Sequence, residues 1–148
     1  MKKVNWQTKK LGEIQAVEKF FKNNNSFFNA DLIQDNPPEP ADILYGDKKY
    51  QVVNADFKFQ KDINVHKFSS SNRNPEETFR DFVLKPIEKK RKYGANAKGH
   101  ILIIDSKLSP PDFFINQELK KRNNKEFDIG FNEIYLVTFN KNFKIFPL

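Results

Sequence analysis

Two acidic residues and a lysine form the clearest chemical pattern in this chain. Asp42 follows Pro40-Ala41, and Asp56 and Lys58 form an Asp-x-Lys string further along. Carboxylates near the ends of two adjacent strands can hold a divalent cation, and an ammonium group beside them can position a water molecule for phosphodiester cleavage. Such strings also arise by chance in a chain rich in charged residues, so the surrounding elements decide what this one means.

The composition restricts the kind of metal site that the chain could form. Cysteine is absent and His66 and His100 are the only histidines, which excludes thiolate sites and multi-histidine zinc sites. Any metal would therefore be held by carboxylates, which favour Mg or Mn. The lack of cysteine fits a reducing compartment, and we expect a cytoplasmic protein. No apolar run reaches the length of about 18 residues that a membrane span needs, so no membrane partner is expected.

The charge of the chain predicts a partner that carries phosphate. The net charge is +7, with 26 basic residues, although a lysine-rich surface without such a partner would give the same value. A basic segment in the second half of the chain concentrates this charge. Its residues are Lys85, Lys89, Lys90, Arg91, Lys92 and Lys98. We expect these residues to contact the backbone of a nucleic acid, with DNA as the first candidate. A solvated helix end is the alternative.

The apolar pattern predicts an α/β protein with a mixed sheet and helices on both faces. The predicted helices are 11–21, 74 to about 93, and 111–122, and the predicted strands are 41–45, 49–53, 100–105, 133–139 and 143–146. In the second helix, Asn74 is the expected cap, Pro86 the expected kink and Gly94 the expected end. We expect one domain over 1–148, with most of its 16 phenylalanines in the core.

This order of elements, with Pro40-Ala41-Asp42 opening one strand and Asp56-Phe57-Lys58 after the next, resembles the PD-(D/E)XK nuclease superfamily. That superfamily has a restriction-endonuclease-like fold with an αβββαβ core, and the resemblance runs from Leu11 to about Phe139. Glu13, in the first helix, also resembles a glutamate that many of these nucleases carry. The resemblance implies a Mg-dependent endonuclease in which Asp42, Asp56 and Glu13 bind the metal and Lys58 orients or deprotonates the attacking water. Many small nucleases dimerise to cut both strands, so a homodimer is a possible arrangement.

The turn between the two hairpin strands sets the distance between the acids. A tight turn at Gly46-Asp47 places Asp42 opposite Gln51. Superfamily members with a tight hairpin have their second acid at the position of Gln51. Asp56 would lie roughly 17 Å further along a straight strand, unless the strand bends or bulges at Asn54-Ala55.

Three interpretations of the site therefore remain open. In the first, Asp56 and Lys58 are the functional motif. In the second, Gln51 is a variant ligand and Asp56 is auxiliary. In the third, the site is degenerate, and the chain is a nucleic-acid-binding or assembly subunit that keeps the fold. On the first helix Glu18 competes with Glu13, because Glu18 lies closer to the centre of the predicted apolar stripe.

Overall fold

The computed structural model of the chain describes residues 8–55 and 74–147. The α-helices are α1 (Thr8–Asn23), α2 (Pro75–Phe79), α3 (Lys85–Lys90) and α4 (Asp112–Lys121). The strands are β1 (Ile33–Gln34), β2 (Ile43–Tyr45), β3 (Lys48–Asn54), β4 (His100–Asp105), β5 (Glu133–Val137) and β6 (Asn142–Phe146). None of the described helices is long and apolar enough to cross a membrane.

The six strands form one mixed sheet in the order β1-β2-β3-β4-β5-β6. Strands β3, β4 and β5 are parallel neighbours, whereas β1-β2, β2-β3 and β5-β6 pair antiparallel. Parallel pairing requires a crossover connection, and helices α2 to α4 lie in these crossovers. The prediction of an α/β protein with a mixed sheet is confirmed.

The hairpin between β2 and β3 has the predicted register. Ile43 pairs with Tyr50 and Tyr45 pairs with Lys48, so the turn is formed by Gly46 and Asp47. Gly46 has a φ of 59°, a conformation that glycine adopts without a steric penalty. The turn chemistry therefore fixed the register as the sequence predicted.

The sheet has two covered faces, because successive side chains of a strand point to opposite sides. Helix α1 covers one of them, which we call the α1 face. Its core comprises Ile14, Val17 and Phe20 of the helix with Tyr50, Ile101 and Ile103 of the strands. Burial on this face raises the pKa of Tyr50 and that of Tyr135 well above the usual value, so both stay neutral.

Helices α2 to α4 cover the opposite face. The core there includes Phe79, Phe82, Val83, Ile87, Ile115 and Leu119 of the helices with Val53, Leu102 and Ile104 of the strands. The continuous apolar run of β4 supplies side chains to both cores, as expected of a strand covered on both sides.

The crossover helix begins as predicted and ends earlier. The side chain of Asn74 accepts a hydrogen bond from the Glu77 N–H (2.8 Å) and so caps α2. Between α2 and α3 lies a π-helical turn, Arg80–Leu84, in which the Lys85 N–H bonds to Arg80 O. Pro86, which has no N–H to donate to the helix, follows this turn after one residue, Lys85.

The α-helical part ends at Lys90 rather than near Tyr93. A 3-10 stretch, Arg91–Ala97, follows, and Gly94 interrupts it with a φ of 48°. Other bounds also differ from the prediction: the first helix is longer, at Thr8–Asn23, and β2 begins at Ile43 rather than at residue 41. Strand β1 was not predicted, because two residues carry no readable periodicity, and β5 ends at Val137 because the Thr138 N–H bonds to Lys141 O across the next turn.

A candidate active-site cleft at the carboxyl ends of the central strands

The cleft that best suits chemistry lies between α1 and the carboxyl ends of β3 and β4. Its volume is about 430 Å³. It is lined by Gly12, Glu13, Gln15, Ala16, Lys19, Val52, Asn54, Asp105 and Lys107. Ligand sites of open α/β sheets commonly occur at the carboxyl ends of parallel strands. We call this feature the carboxyl-edge cleft.

Glu13 is the predicted site residue that lines this cleft. It is half-buried, and it has a polar partner of its own. Glu18, the competing candidate, is exposed. The expectation that Glu18 lies nearer the centre of the buried face is wrong, because Leu11 is 43% exposed while Ala16 is buried. The centre of the buried face of α1 is therefore closer to Glu13 than to Glu18.

Asp42 lies just before β2 and is bonded to a residue of the cleft. Its N–H donates to Tyr50 O (2.8 Å), and its carboxylate Oδ2 accepts a hydrogen bond from the N–H of Val52 (2.9 Å), a residue that lines the cleft. The Lys10 ammonium donates to the carbonyl oxygen of Asp42. The carboxylate is therefore fixed beside β3 while remaining partly accessible.

Gln51 lies opposite Asp42 but is directed away from the cleft. Val52 and Asn54 line the cleft, so Gln51 points to the other side of the sheet. Its side chain is 2% exposed and its Nε2 donates to Pro40 O (2.7 Å). Its Oε1 has no hydrogen-bond partner among the residues that the structure describes. Gln51 and Glu13 are thus on different faces of the sheet.

Asp56 and Lys58 lie outside the described residues. The described part of β3 is regular up to its end: Asn54 pairs with Asp105, and the Ala55 N–H donates to Asp105 O (2.9 Å). The bend or bulge at Asn54-Ala55 that would shorten the distance from Asp42 to Asp56 is therefore not found, because the pairing with β4 continues through both residues.

An ion pair forms the floor of the carboxyl-edge cleft. Lys19 Nζ lies 2.6 Å from Asp105 Oδ1, and it also donates to Ser106 O (2.8 Å). The side chains of Lys19 and Asp105 are 23% and 14% exposed. Opposite charges at this distance stabilise each other most where water is partly excluded. Lys107, in contrast, is exposed and pairs with no acid in the described part of the chain.

The oxygen donors of the cleft suit Mg or Mn in kind. Glu13 and Asp105 offer carboxylates and Asn54 offers an amide oxygen, which are hard ligands. Within 8–55 and 74–147, no three His, Cys, Asp or Glu side chains come together as a metal-binding group. A complete carboxylate site would therefore need a further ligand from outside these ranges.

The basic segment lies far from this cleft. Its helix packs on the face opposite α1, and Lys98 precedes β4 at the amino end, whereas Asp105 closes β4 at the carboxyl end. These ends are roughly 17 Å apart along the strand. Two of the charges also have acidic partners: Lys85 pairs with Asp81 (3.2 Å) and Arg91 with Glu88 (2.9 Å).

Reasoning from the sequence missed Asp105, Lys107 and Lys19. Asp105-Ser106-Lys107 is another Asp-x-Lys string, and it begins at the last residue of β4, directly after the apolar run. Its position at the carboxyl end of a buried strand was the available signal. Lys19 carried no such signal, since its pairing with Asp105 depends on how α1 crosses the sheet.

Comparison with family models, with curated proteins and with solved structures gives no match to this chain.

Proposed function

We propose that this protein is a metal-dependent nuclease that hydrolyses phosphodiester bonds, with DNA as the expected substrate. The observation that carries the proposal is the carboxyl-edge cleft, where Glu13 of α1 meets the carboxyl ends of β3 and β4, together with Asp42, whose carboxylate is bonded to the cleft residue Val52. Phosphodiester hydrolysis uses acidic side chains to bind a metal ion and basic side chains to stabilise the phosphate, and this cleft has side chains of both kinds. The absence of cysteine supports a cytoplasmic location.

The topology supports a restriction-endonuclease-like core. The chain runs through one helix, three antiparallel strands, a crossover helix and a strand parallel to β3. This is the αβββαβ order that the resemblance implies. The first strand of the three is only two residues long, but it pairs with β2 in the required antiparallel sense.

We assign metal binding to Asp42, Glu13 and Asp56, and the positioning of the attacking water to Lys58. Because β3 is straight as far as Ala55, this assignment requires the chain to turn back towards Asp42 after Ala55. A bound Mg or Mn ion would supply charge stabilisation at the phosphate. Within the described residues, the Val52 N–H orients the Asp42 carboxylate, and the Lys19–Asp105 pair orders the floor of the cleft. Lys107, at the rim, is available to a phosphate group of the substrate.

A protein that binds nucleic acid without cleaving it is the second candidate. Asp42 and Asp105 both have structural roles: one accepts from the Val52 N–H and the other pairs with Lys19. Gln51 supplies no acid at the position where superfamily members with a tight hairpin have one. These observations favour a chain that keeps the fold while its chemistry is eroded.

Cleavage assays with and without metal separate the two candidates. The wild-type protein and Asp56→Asn are incubated with single-stranded and duplex DNA in Mg, in Mn and in EDTA. The nuclease proposal predicts cleavage by the wild type with metal and none by Asp56→Asn. If neither protein cleaves under any condition while both bind DNA with steep salt dependence, the binding-only function is correct.

A further inference from the structure

Two exposed phenylalanines extend the carboxyl-edge cleft along the same edge of the sheet. Phe113 is 63% exposed and Phe139 is 76% exposed, in a chain whose other described phenylalanines are mostly buried. Phe139 comes two residues after the end of β5, and Phe113 lies in the first turn of α4, which follows β4. Because β4 and β5 are parallel, both rings are at the carboxyl edge.

Hydrogen bonds join the two turns that carry these rings. Lys141 Nζ pairs with Asp112 Oδ2 at 2.8 Å, and Ser109 Oγ lies 3.4 Å from Asn140 Oδ1. Ser106 connects the turns to the cleft, since its N–H donates to Val137 O and its carbonyl accepts from Lys19. The cleft, Lys107, Phe113 and Phe139 thus share one edge, which we call the carboxyl-edge surface.

The charges of this surface suit phosphate. Of its acids, Asp105 and Asp112 are neutralised by Lys19 and Lys141, and Glu13 has an interaction partner of its own. Lys107 is exposed and has no acidic partner among the described residues. Among the described residues, a phosphate that approaches the surface therefore meets the exposed Lys107, and the carboxylates of Asp105 and Asp112 are compensated, on a chain of net charge +7.

The two exposed rings favour nucleic acid whose bases are unpaired. A phenylalanine side chain forms no hydrogen bond, and its main favourable contact with a base is stacking on the face of that base. In a duplex these faces are covered by neighbouring base pairs, whereas in an unpaired strand they are accessible. Exposed rings on the same sheet edge as an exposed lysine therefore fit an unpaired strand better than a duplex.

We propose that the carboxyl-edge surface binds unpaired nucleotides, with bases stacked on Phe113 and Phe139 and a phosphate near Lys107. This inference rests on the proposed function for the claim that the partner is nucleic acid, and it names the substrate class as single-stranded or locally unpaired.

Binding measurements in EDTA test the inference independently of cleavage. Fluorescence anisotropy is recorded with a labelled single strand of about 20 nucleotides and with a duplex of the same sequence. We expect tighter binding to the single strand. Phe139→Ala and Phe113→Ala should each weaken that binding by about 5-fold to 100-fold and leave duplex binding unchanged.

Phe27→Ala is the matched control. Phe27 is 84% exposed, and its neighbour Phe28 stacks on Tyr45, at the end of β2 beside the hairpin turn and therefore at the other edge of the sheet. The control should bind like the wild type. All three side chains are exposed, so their removal should not affect folding.

Other outcomes overturn the inference. Equal affinity for single strand and duplex, or binding unaffected by both ring substitutions, excludes stacking on this surface. Loss of self-association in Phe139→Ala, with unchanged oligonucleotide binding, assigns the surface to a second copy of the chain. If binding depends on the two rings but no metal-dependent cleavage is detected, the proposed binding role of the surface is supported and the proposed nuclease function is rejected.

Discussion

Asn54 and Asp105 occupy the same register position on the neighbouring parallel strands β3 and β4, and both line the cleft beneath α1. The Ala55 N–H then bonds to the carbonyl of Asp105. Strand pairing thus fixes the backbone of β3 and of the following residue, Ala55. If Asp56 and Lys58 act in a site, they must therefore reach it from Ala55, at the cleft end of β3, and not from the position of Gln51.

The Lys19–Asp105 pair should contribute measurably to stability. Lys19→Met leaves Asp105 without its charge partner, and we expect a loss of about 2 kcal/mol, between the values typical of exposed and buried pairs. Asp105→Asn and the double variant complete a double-mutant cycle read by urea denaturation. A coupling energy of about 1 kcal/mol or more is expected. Strict additivity would show that the pair contributes nothing.

Gln51→Glu should destabilise the protein rather than improve metal binding. The substitution removes the donor to Pro40 O and introduces a carboxylate at a position that is 2% exposed. We expect a loss of about 2 kcal/mol or more, measured by thermal or urea unfolding. Gln51→Leu, of similar size, is the control for the lost hydrogen bond alone. Tighter Mg binding by a stable Gln51→Glu protein would instead identify Gln51 as the position of a ligand.

Glu13 and Glu18 offer a matched test of the first helix. Glu13 lines the cleft and Glu18 is exposed. Glu13→Gln should lower metal-dependent cleavage by about 10-fold to 100-fold, with circular dichroism unchanged. Glu18→Gln should behave like the wild type. Equal effects of the two substitutions would remove Glu13 from the site.

Lys107 and Lys92 distinguish the cleft from the basic segment. Both are exposed, but Lys107 lines the cleft, whereas Lys92 lies beyond the end of α3 and contacts the ring of Tyr93. Lys107→Glu should weaken single-strand binding and lower the salt slope by about 1, as expected for one lost phosphate contact. Lys92→Glu should have a smaller effect. The reverse order would assign the interface to the basic segment.

The sequence predicted those parts of the fold that depend on local chemistry. The Gly46-Asp47 turn gave the hairpin register, and Asn74 gave the start of the crossover helix, because turn and cap preferences act over a few residues. Which side of α1 is buried was harder to predict, because the burial of the small Ala16 and the exposure of Leu11 depend on tertiary packing. The end of the crossover helix, at Lys90 rather than near Tyr93, depends on tertiary packing in the same way.

The site was predicted only in part. Glu13 lines the cleft and Asp42 is bonded to the cleft residue Val52, but the sequence indicated Asp105 only as the end of an apolar strand and not as a side chain of the site. Its partner Lys19 is distant in the sequence, and no local pattern connects them. Parallel pairing of β3 with β4 brings Asn54 and Asp105 together, and that pairing follows from a crossover whose register the sequence does not encode locally.

Asp42→Asn tests the central claim most directly. An asparagine retains an oxygen that can accept from the Val52 N–H, so the fold should remain while the negative charge is lost. Cleavage of DNA in Mg is measured for Asp42→Asn and the wild type, with unfolding curves for both. The account predicts cleavage by the wild type, none by Asp42→Asn, and matching unfolding curves. Undiminished cleavage by Asp42→Asn would contradict it.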